Sequence, residues 1–247
     1  MLEDAMTTAA RREQLPDPTY YPVVEKVPVS NVQRAMENVL WPLVARWLAE
    51  RGEMAFVSSD QFIYYRQYDP RSAVAPDLYI LPGVPPDAGV TAWKVWETGI
   101  VPSLAVEIVS TDVRKDYEVG PTRYEELGVE ELIVFDPDWQ QHAERFRFQV
   151  FRRNGPRLPR VKATNADRVR SSVLGCWIRS VGDGVAVRLR LALDPKGDRL
   201  YPTDDELRQE AEASLKRERA ARKREQAALA AAEVEIARLR RELEKRH

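Results

Sequence analysis

Early in the chain, apolar positions recur at helical spacing. After Ser30, a residue type suited to an N-cap, come Val32, Met36, Val39, Leu40, Leu43, Val44, Trp47 and Leu48. Their spacing predicts one amphipathic helix from about Asn31 to Glu50, stopped by Gly52. Pro42 falls inside it and predicts a kink, or two short helices meeting there. Glu37 lies near the apolar stripe and could look inward, but a solvated flank is the usual fate of a glutamate on a surface helix.

The period then shortens. Met54 to Ser58, Gln61 to Tyr65 and Pro76 to Leu81 read as strands, interrupted by Ser59-Asp60 and by the turn Tyr68-Asp69-Pro70. Pro82 to Gly99 reads as a loop whose Trp93-Lys94-Val95-Trp96 covers one end of a sheet. Leu104 to Val109 is almost continuously apolar, as a central strand is. Tyr117 to Leu127 reads as a short helix capped by Gly128, and Leu132 to Asp136 as the next buried strand. Strand, helix and strand with such short links imply a right-handed crossover and a parallel pair, hence an α/β organisation.

Beyond this point Phe146, Phe148 and Val150 alternate with Arg145, Arg147 and Gln149, the pattern of a half-buried strand, and Asn154-Gly155 is a hairpin turn. Further strands are expected over Ser172 to Ile178 and Val185 to Leu193, on either side of Gly182-Asp183-Gly184. The window from Arg145 to Arg170 holds nine Lys or Arg against one Asp. Arg145, Arg147, Arg152 and Arg153 are therefore candidates for nucleic-acid backbone contact, and a solvated outer face is the competing reading.

From Thr203 to His247 there are 23 charged residues, ten Ala and no Gly or Pro, which predicts one long helix. Leu229, Ala232, Ile236, Leu239 and Leu243 fit an a/d pattern over about two heptads, while Arg222 and Glu225 break the register upstream. A homodimer through a coiled coil and a single solvated helix both fit. The domain organisation that follows is an N-terminal arm over 1–28, with Tyr20-Tyr21 available to dock it, an α/β domain over 29–202, and the charged, alanine-rich helix over 203–247.

Composition narrows the function. A length of 247 residues and 44% hydrophobic content are enough for a real core. A net charge of −1 does not mark the whole molecule as a polyanion binder. The single cysteine, Cys176, excludes an intramolecular disulfide and fits a reducing compartment. With no apolar run of signal-peptide or membrane-spanning length, a soluble cytoplasmic protein without a membrane partner is expected. Only His142 and His247 exist, which excludes Cys/His zinc sites, and neither G-x-x-x-x-G-K-[ST] nor G-x-G-x-x-G occurs.

What remains is carboxylates and lysine. Asp77 stands just ahead of Leu78-Tyr79-Ile80-Leu81, and Glu107 stands inside Leu104-Ala105-Val106-Glu107-Ile108-Val109. A carboxylate in a buried strand is costly unless a metal, donor or cation pairs with it. On neighbouring strands the two could share one hard divalent cation such as Mg2+, or Mn2+. The alternative is that Asp77 caps the turn after Pro76 and Glu107 pairs with an arginine. Metal–carboxylate–lysine sites suit phosphodiester cleavage.

These residues have a known counterpart. Pro76-Asp77, Glu107-Ile108-Val109-Ser110, Asp116, Tyr124, Gly128-Val129-Glu130 and Phe135-Asp136-Pro137 resemble the Uma-type restriction endonuclease family, within the PD-(D/E)XK nuclease superfamily, over roughly Val29 to Leu200. The resemblance implies a restriction-endonuclease-like mixed sheet flanked by helices. It also implies a metal held by Asp77, Glu107 and a backbone carbonyl near Ile108, and DNA as the partner. One position departs from the family pattern: Gly120 stands where a lysine is expected, four residues before Tyr124. Lys115 is the nearest replacement as auxiliary base or phosphate clamp, with Tyr124 orienting it or a carboxylate and Ser110 in support. A metal-dependent DNA endonuclease is expected; the alternative is a nuclease-fold protein that no longer cuts and serves as a binding or oligomerisation module.

Overall fold

The structure, a computed structural model, describes residues 17–23, 31–110 and 115–244, with backbone alone at 31, 32 and 115. It divides into two compact units, Met1–Tyr201 and Pro202–His247.

In the first unit the predicted helix forms as α1 (Asn31–Glu50) and runs unbroken through Pro42. Met36, Leu40, Leu43, Val44 and Leu48 are all buried along one stripe, each contributing on the order of 1.5–3 kcal/mol relative to exposure. Glu53 N–H donates back to the Leu48 carbonyl, and Gly52 sits at φ 71°, where a side chain would be strained. Ser30, the expected N-cap, lies outside the described residues.

The strands follow as β1 (Ala55–Ser58), β2 (Ile63–Tyr64), β3 (Ala73–Val74), β4 (Leu78–Pro82) and β5 (Trp93–Lys94), then the short helix α2 (Val95–Thr98) and β6 (Leu104–Ile108). A π-helical turn over Lys115–Val119 feeds α3 (Gly120–Leu127), which Gly128 closes in the left-handed region at φ 101°. Then come β7 (Glu131–Phe135), β8 (Phe148–Arg152), β9 (Arg160–Thr164), β10 (Arg168–Arg170), β11 (Trp177–Val181) and β12 (Arg188–Ala192). The main sheet has six strands in the order β1-β4-β6-β7-β8-β9. Only β6 and β7 are parallel, as the strand–helix–strand pattern predicted, so the sheet is mixed. Two three-stranded sheets, β3-β2-β5 and β10-β11-β12, flank it.

The sheet is covered on both faces. Leu78, Ile80, Leu104, Val106, Ile108 and Ile133 pack with α1 and with Val169, Ile178 and Leu189 of the β10-β11-β12 sheet. Tyr79, Leu81, Ala105, Leu132 and Val134 pack with Tyr124 and Leu127 of α3 and with Ile63 and Trp93. This corrects the half-buried reading of β8: Phe148 and Val150 face one core, Phe151 faces the other, and even Gln149 is buried. Apolar alternation cannot reveal a second core when polar side chains on the other face are themselves covered.

The strand expected over Ser172 to Ile178 is also corrected. Only Trp177 and Ile178 are extended, because Ser171 and Ser172 turn inward to bond Glu131. In the arm, Tyr21 is buried and edge-on to Tyr64, with ring centroids 4.9 Å apart, while Tyr20 is 80% exposed. Tyr21 alone docks.

The second unit is α4 (Asp204–Glu244). Its start is a capping box: Glu206 N–H donates to Thr203 Oγ1 at 3.2 Å and Thr203 N–H to Glu206 Oε2 at 2.7 Å. None of its residues is buried, and Leu229, Val234, Ile236, Leu239 and Leu243 are exposed.

Candidate active site

β4 and β6 pair antiparallel with Leu78 opposite Val106. One further step of that register puts Asp77 opposite Glu107, so the two acids 30 positions apart meet at one end of the central strands. Asp77 is buried, and its Oδ2 accepts the backbone N–H of Ile108 at 2.5 Å. Burial and then the adjacent Glu107 charge hold its carboxyl well above the ordinary range, against the opposing effect of the Ile108 hydrogen bond.

Glu107 shares its face of β6 with Ala105, which packs on the α3 side. There the Tyr124 hydroxyl donates to Glu107 Oε1. Tyr124 is buried, and burial followed by the Glu107 charge pushes its phenol well above its usual value, so it stays a donor. Ser110 donates through both N–H and Oγ to Asp116 Oδ2, at 2.7 and 3.0 Å, fixing a second buried acid nearby. Glu107, Asp116, Gly120, Arg123 and Tyr124 line a cavity of about 80 Å³ together with apolar residues of β3 and β7. Gly120, where the lysine was expected, therefore borders the same space as Glu107. The Lys115 side chain lies outside the described residues.

The Ile108 carbonyl, expected near the metal, accepts from Gln33 Nε2 at 3.1 Å. Gln33 lies one helical turn before Glu37 on α1, and this is where the sequence reading of Glu37 is corrected. Glu37 is 7% exposed, not a solvated flank. Carboxylate oxygens of Glu37, Asp60 and Asp77 lie within 4.8 Å of one another. Burial and the charges of Asp60 and Asp77 push the Glu37 carboxyl up to about 8. Glu37 had a faint signal, its place near an apolar stripe. Asp60 had none, since Ser59-Asp60 reads as an ordinary turn.

The arginines expected to face nucleic acid are mostly occupied. Arg145 is buried and grips Asp136 with Nε and one terminal nitrogen, both at 2.6 Å, so it cannot reach a phosphate without stranding that carboxylate. Arg152 donates to Glu131 at 2.8 Å and to the Arg170 carbonyl at 2.7 Å. Arg153 donates to the carbonyls of Val129 and Glu125, closing the end of α3. Arg147 stacks over Trp139, 4.9 Å from the ring centroid, and is the freest of the four to face outward.

All the donors of the cluster are oxygens, the set that a hard divalent cation takes, and Asp77 has no lysine or arginine partner among the described residues. Among those residues no helix is long and apolar enough to cross a membrane. No curated protein matches the chain. Residues 22–181, well over half of the 247, match the family model Uma2, described as "Putative restriction endonuclease". The six-stranded mixed sheet with its flanking helices and the match over that sheet agree, and the chain belongs to the Uma2 family of the restriction-endonuclease-like PD-(D/E)XK superfamily.

Proposed function

We propose that the protein is a divalent-metal-dependent endonuclease that hydrolyses phosphodiester bonds in DNA. The observation that carries this reading is the register of β4 against β6, which sets a buried Asp77 beside Glu107 with no cationic side chain paired to Asp77 among the described residues. Asp77 and Glu107 would hold Mg2+ or Mn2+, with the Ile108 carbonyl at the same strand end shared with Gln33. Such an ion lowers the pKa of bound water and neutralises charge on the scissile phosphate.

The chain's own residues do the rest. The Ile108 N–H fixes one oxygen of Asp77. Tyr124 fixes one oxygen of Glu107 from a fully covered position, so both ligands meet an incoming ion already oriented. Lys115, at the head of the turn that leads to α3, serves as proton acceptor or phosphate clamp. Backbone phosphates meet Arg147 and the exposed Arg157 and Lys162 of the β8–β9 hairpin.

The test is nicking of supercoiled plasmid with Mg2+ or Mn2+, comparing the natural chain with Glu107→Gln. Metal-dependent nicking that falls by more than about a hundredfold in the variant is expected, beyond what loss of an outer partner alone costs. Equal nicking by the two proteins would remove the site. One observation favours a second reading, a nuclease fold that binds without cutting: Gly120 brings no ammonium group to the cavity beside Glu107. In that reading α4 joins two copies through Leu229 to Leu243, and no metal supports nicking.

A further inference from the structure

We propose that Arg123 is a phosphate-binding catalytic residue of this site and supplies the positive charge that Gly120 does not. The inference rests on the endonuclease reading and names the group that meets the scissile phosphate. Gly120 and Arg123 lie three positions apart on α3, one turn of the helix, and both border the cavity beside Glu107. Gly120 brings no side chain, and the space next to it stays open, about 80 Å³ in all. Among the described residues that line this space, Arg123 is the one cation.

Arg123 is exposed, and the fold leaves its charge uncommitted. A terminal nitrogen donates to the Ala73 carbonyl at 3.5 Å, beyond the usual range of such bonds. A guanidinium carries five donors, so a strap from α3 to β3 would use one of them. Among the described residues no carboxylate lies within ion-pair distance of Arg123. The acids that follow it on α3 are already taken. Glu125 pairs with Arg157 at 3.3 Å and accepts the Leu158 N–H at 2.7 Å, and Glu126 pairs with Arg66 at 3.1 Å. Arg145, Arg152 and Arg153, by contrast, each close on a partner within the fold.

The role follows from what a guanidinium can do. It stays protonated in a protein, so Arg123 cannot accept a proton from the attacking water. That proton is left to Lys115. The planar fork can instead hold two phosphate oxygens at once, a geometry that an ammonium lacks. It then meets the negative charge that grows on those oxygens, and takes no part in the bond changes themselves. Val74, Leu132 and Val134 wall the inner side of the cavity and are buried, so a charge contact made there is less weakened by water.

The experiment is nicking of supercoiled plasmid in Mg2+ or Mn2+ by the full chain and its variants over a range of DNA concentration. Thermal melts establish that each variant is folded. Arg123→Ala should lower kcat by about 100–1,000-fold with KM nearly unchanged. Arg123→Lys should keep part of the activity, as a point charge without the fork. Two routes should return at least about tenfold to Arg123→Ala by putting a cation back into the cavity: adding Gly120→Lys, and adding guanidinium ion to the buffer. A strap that only holds α3 to β3 would be recovered by neither. Arg123→Ala that nicks like the natural chain, or a loss that neither route recovers, overturns the role of Arg123 while the endonuclease reading stands. If Gly120→Lys nicks and the natural chain does not, Arg123 is overturned and the metal site stands. If neither nicks with either metal, the endonuclease reading itself fails and the role of Arg123 falls with it.

Discussion

Two groups of buried acids stand only a few strands apart, and they are solved in opposite ways. On β7 and just beyond it, Glu131 and Asp136 are fully buried, and every oxygen is occupied. Asp136 takes both arms of Arg145, the Tyr117 hydroxyl and the Asp138 N–H. Glu131 takes Arg152, the hydroxyls of Ser171 and Ser172 and the Ser172 N–H. Just before β4 and on α1, Asp77 and Glu37 are nearly as buried but lie among other acids. The first group is charge neutralised by cations and donors of the fold; in the second, burial and neighbouring acids instead hold the carboxyls above their ordinary range. The difference teaches that burial of an acid says little about function until its donors are counted.

The comparison breaks most sharply at Arg145. Arg145→Ala should strand a buried carboxylate and cost about 3–5 kcal/mol in urea unfolding. Adding Asp136→Asn should recover part of that loss. A cost below about 1 kcal/mol would mean that water reaches Asp136 and that the two groups differ less than their geometry says.

Glu37→Gln should act in the opposite direction. The Glu37 carboxyl rises from 4.5 to about 8 on folding, so between those pH values the folded chain keeps a proton that the unfolded chain has released. Its contribution to stability is intact below pH 4.5 and is lost as pH rises to about 8, at no more than about 1.4 kcal/mol per pH unit. In chelator-containing buffer Glu37→Gln should therefore melt above the natural chain at pH 8, with the gap closing toward pH 5. A variant that is less stable at pH 8 would place Glu37 with Glu131 and Asp136, among the satisfied acids.

The smallest expected effect sharpens the functional side. Tyr124→Phe keeps the ring that packs beneath Glu107 and removes only the hydroxyl. Nicking should fall by about 10–100-fold, with a stability cost of about 1–3 kcal/mol for the lost donor. Unchanged nicking would reduce Tyr124 to packing.

Much of this molecule was legible in its residue order. The α1 stripe, the crossover from β6 through α3 to β7, the Gly128 cap and the Asn154-Gly155 hairpin all rest on local spacing and turn chemistry, and each formed as expected. Asp77 and Glu107 stood out because each is an acid at or within an apolar strand, and a strand acid's cost is visible in one dimension. Arg145 was misread for the complementary reason. Nine basic residues in one window look like a phosphate-facing surface, and nothing local says that one of them has a buried partner nine positions back.

The sequence by itself determined the elements, the parallel pair at the centre and two of the acids, because periodicity, caps and strand composition act over a few residues. Only the tertiary structure decided which acids are neutralised and which converge. Glu37, Asp60 and Asp77 come from a helix, a turn and the residue just before a strand, and an electrostatic cluster is a property of distances in space that no spacing along the chain encodes.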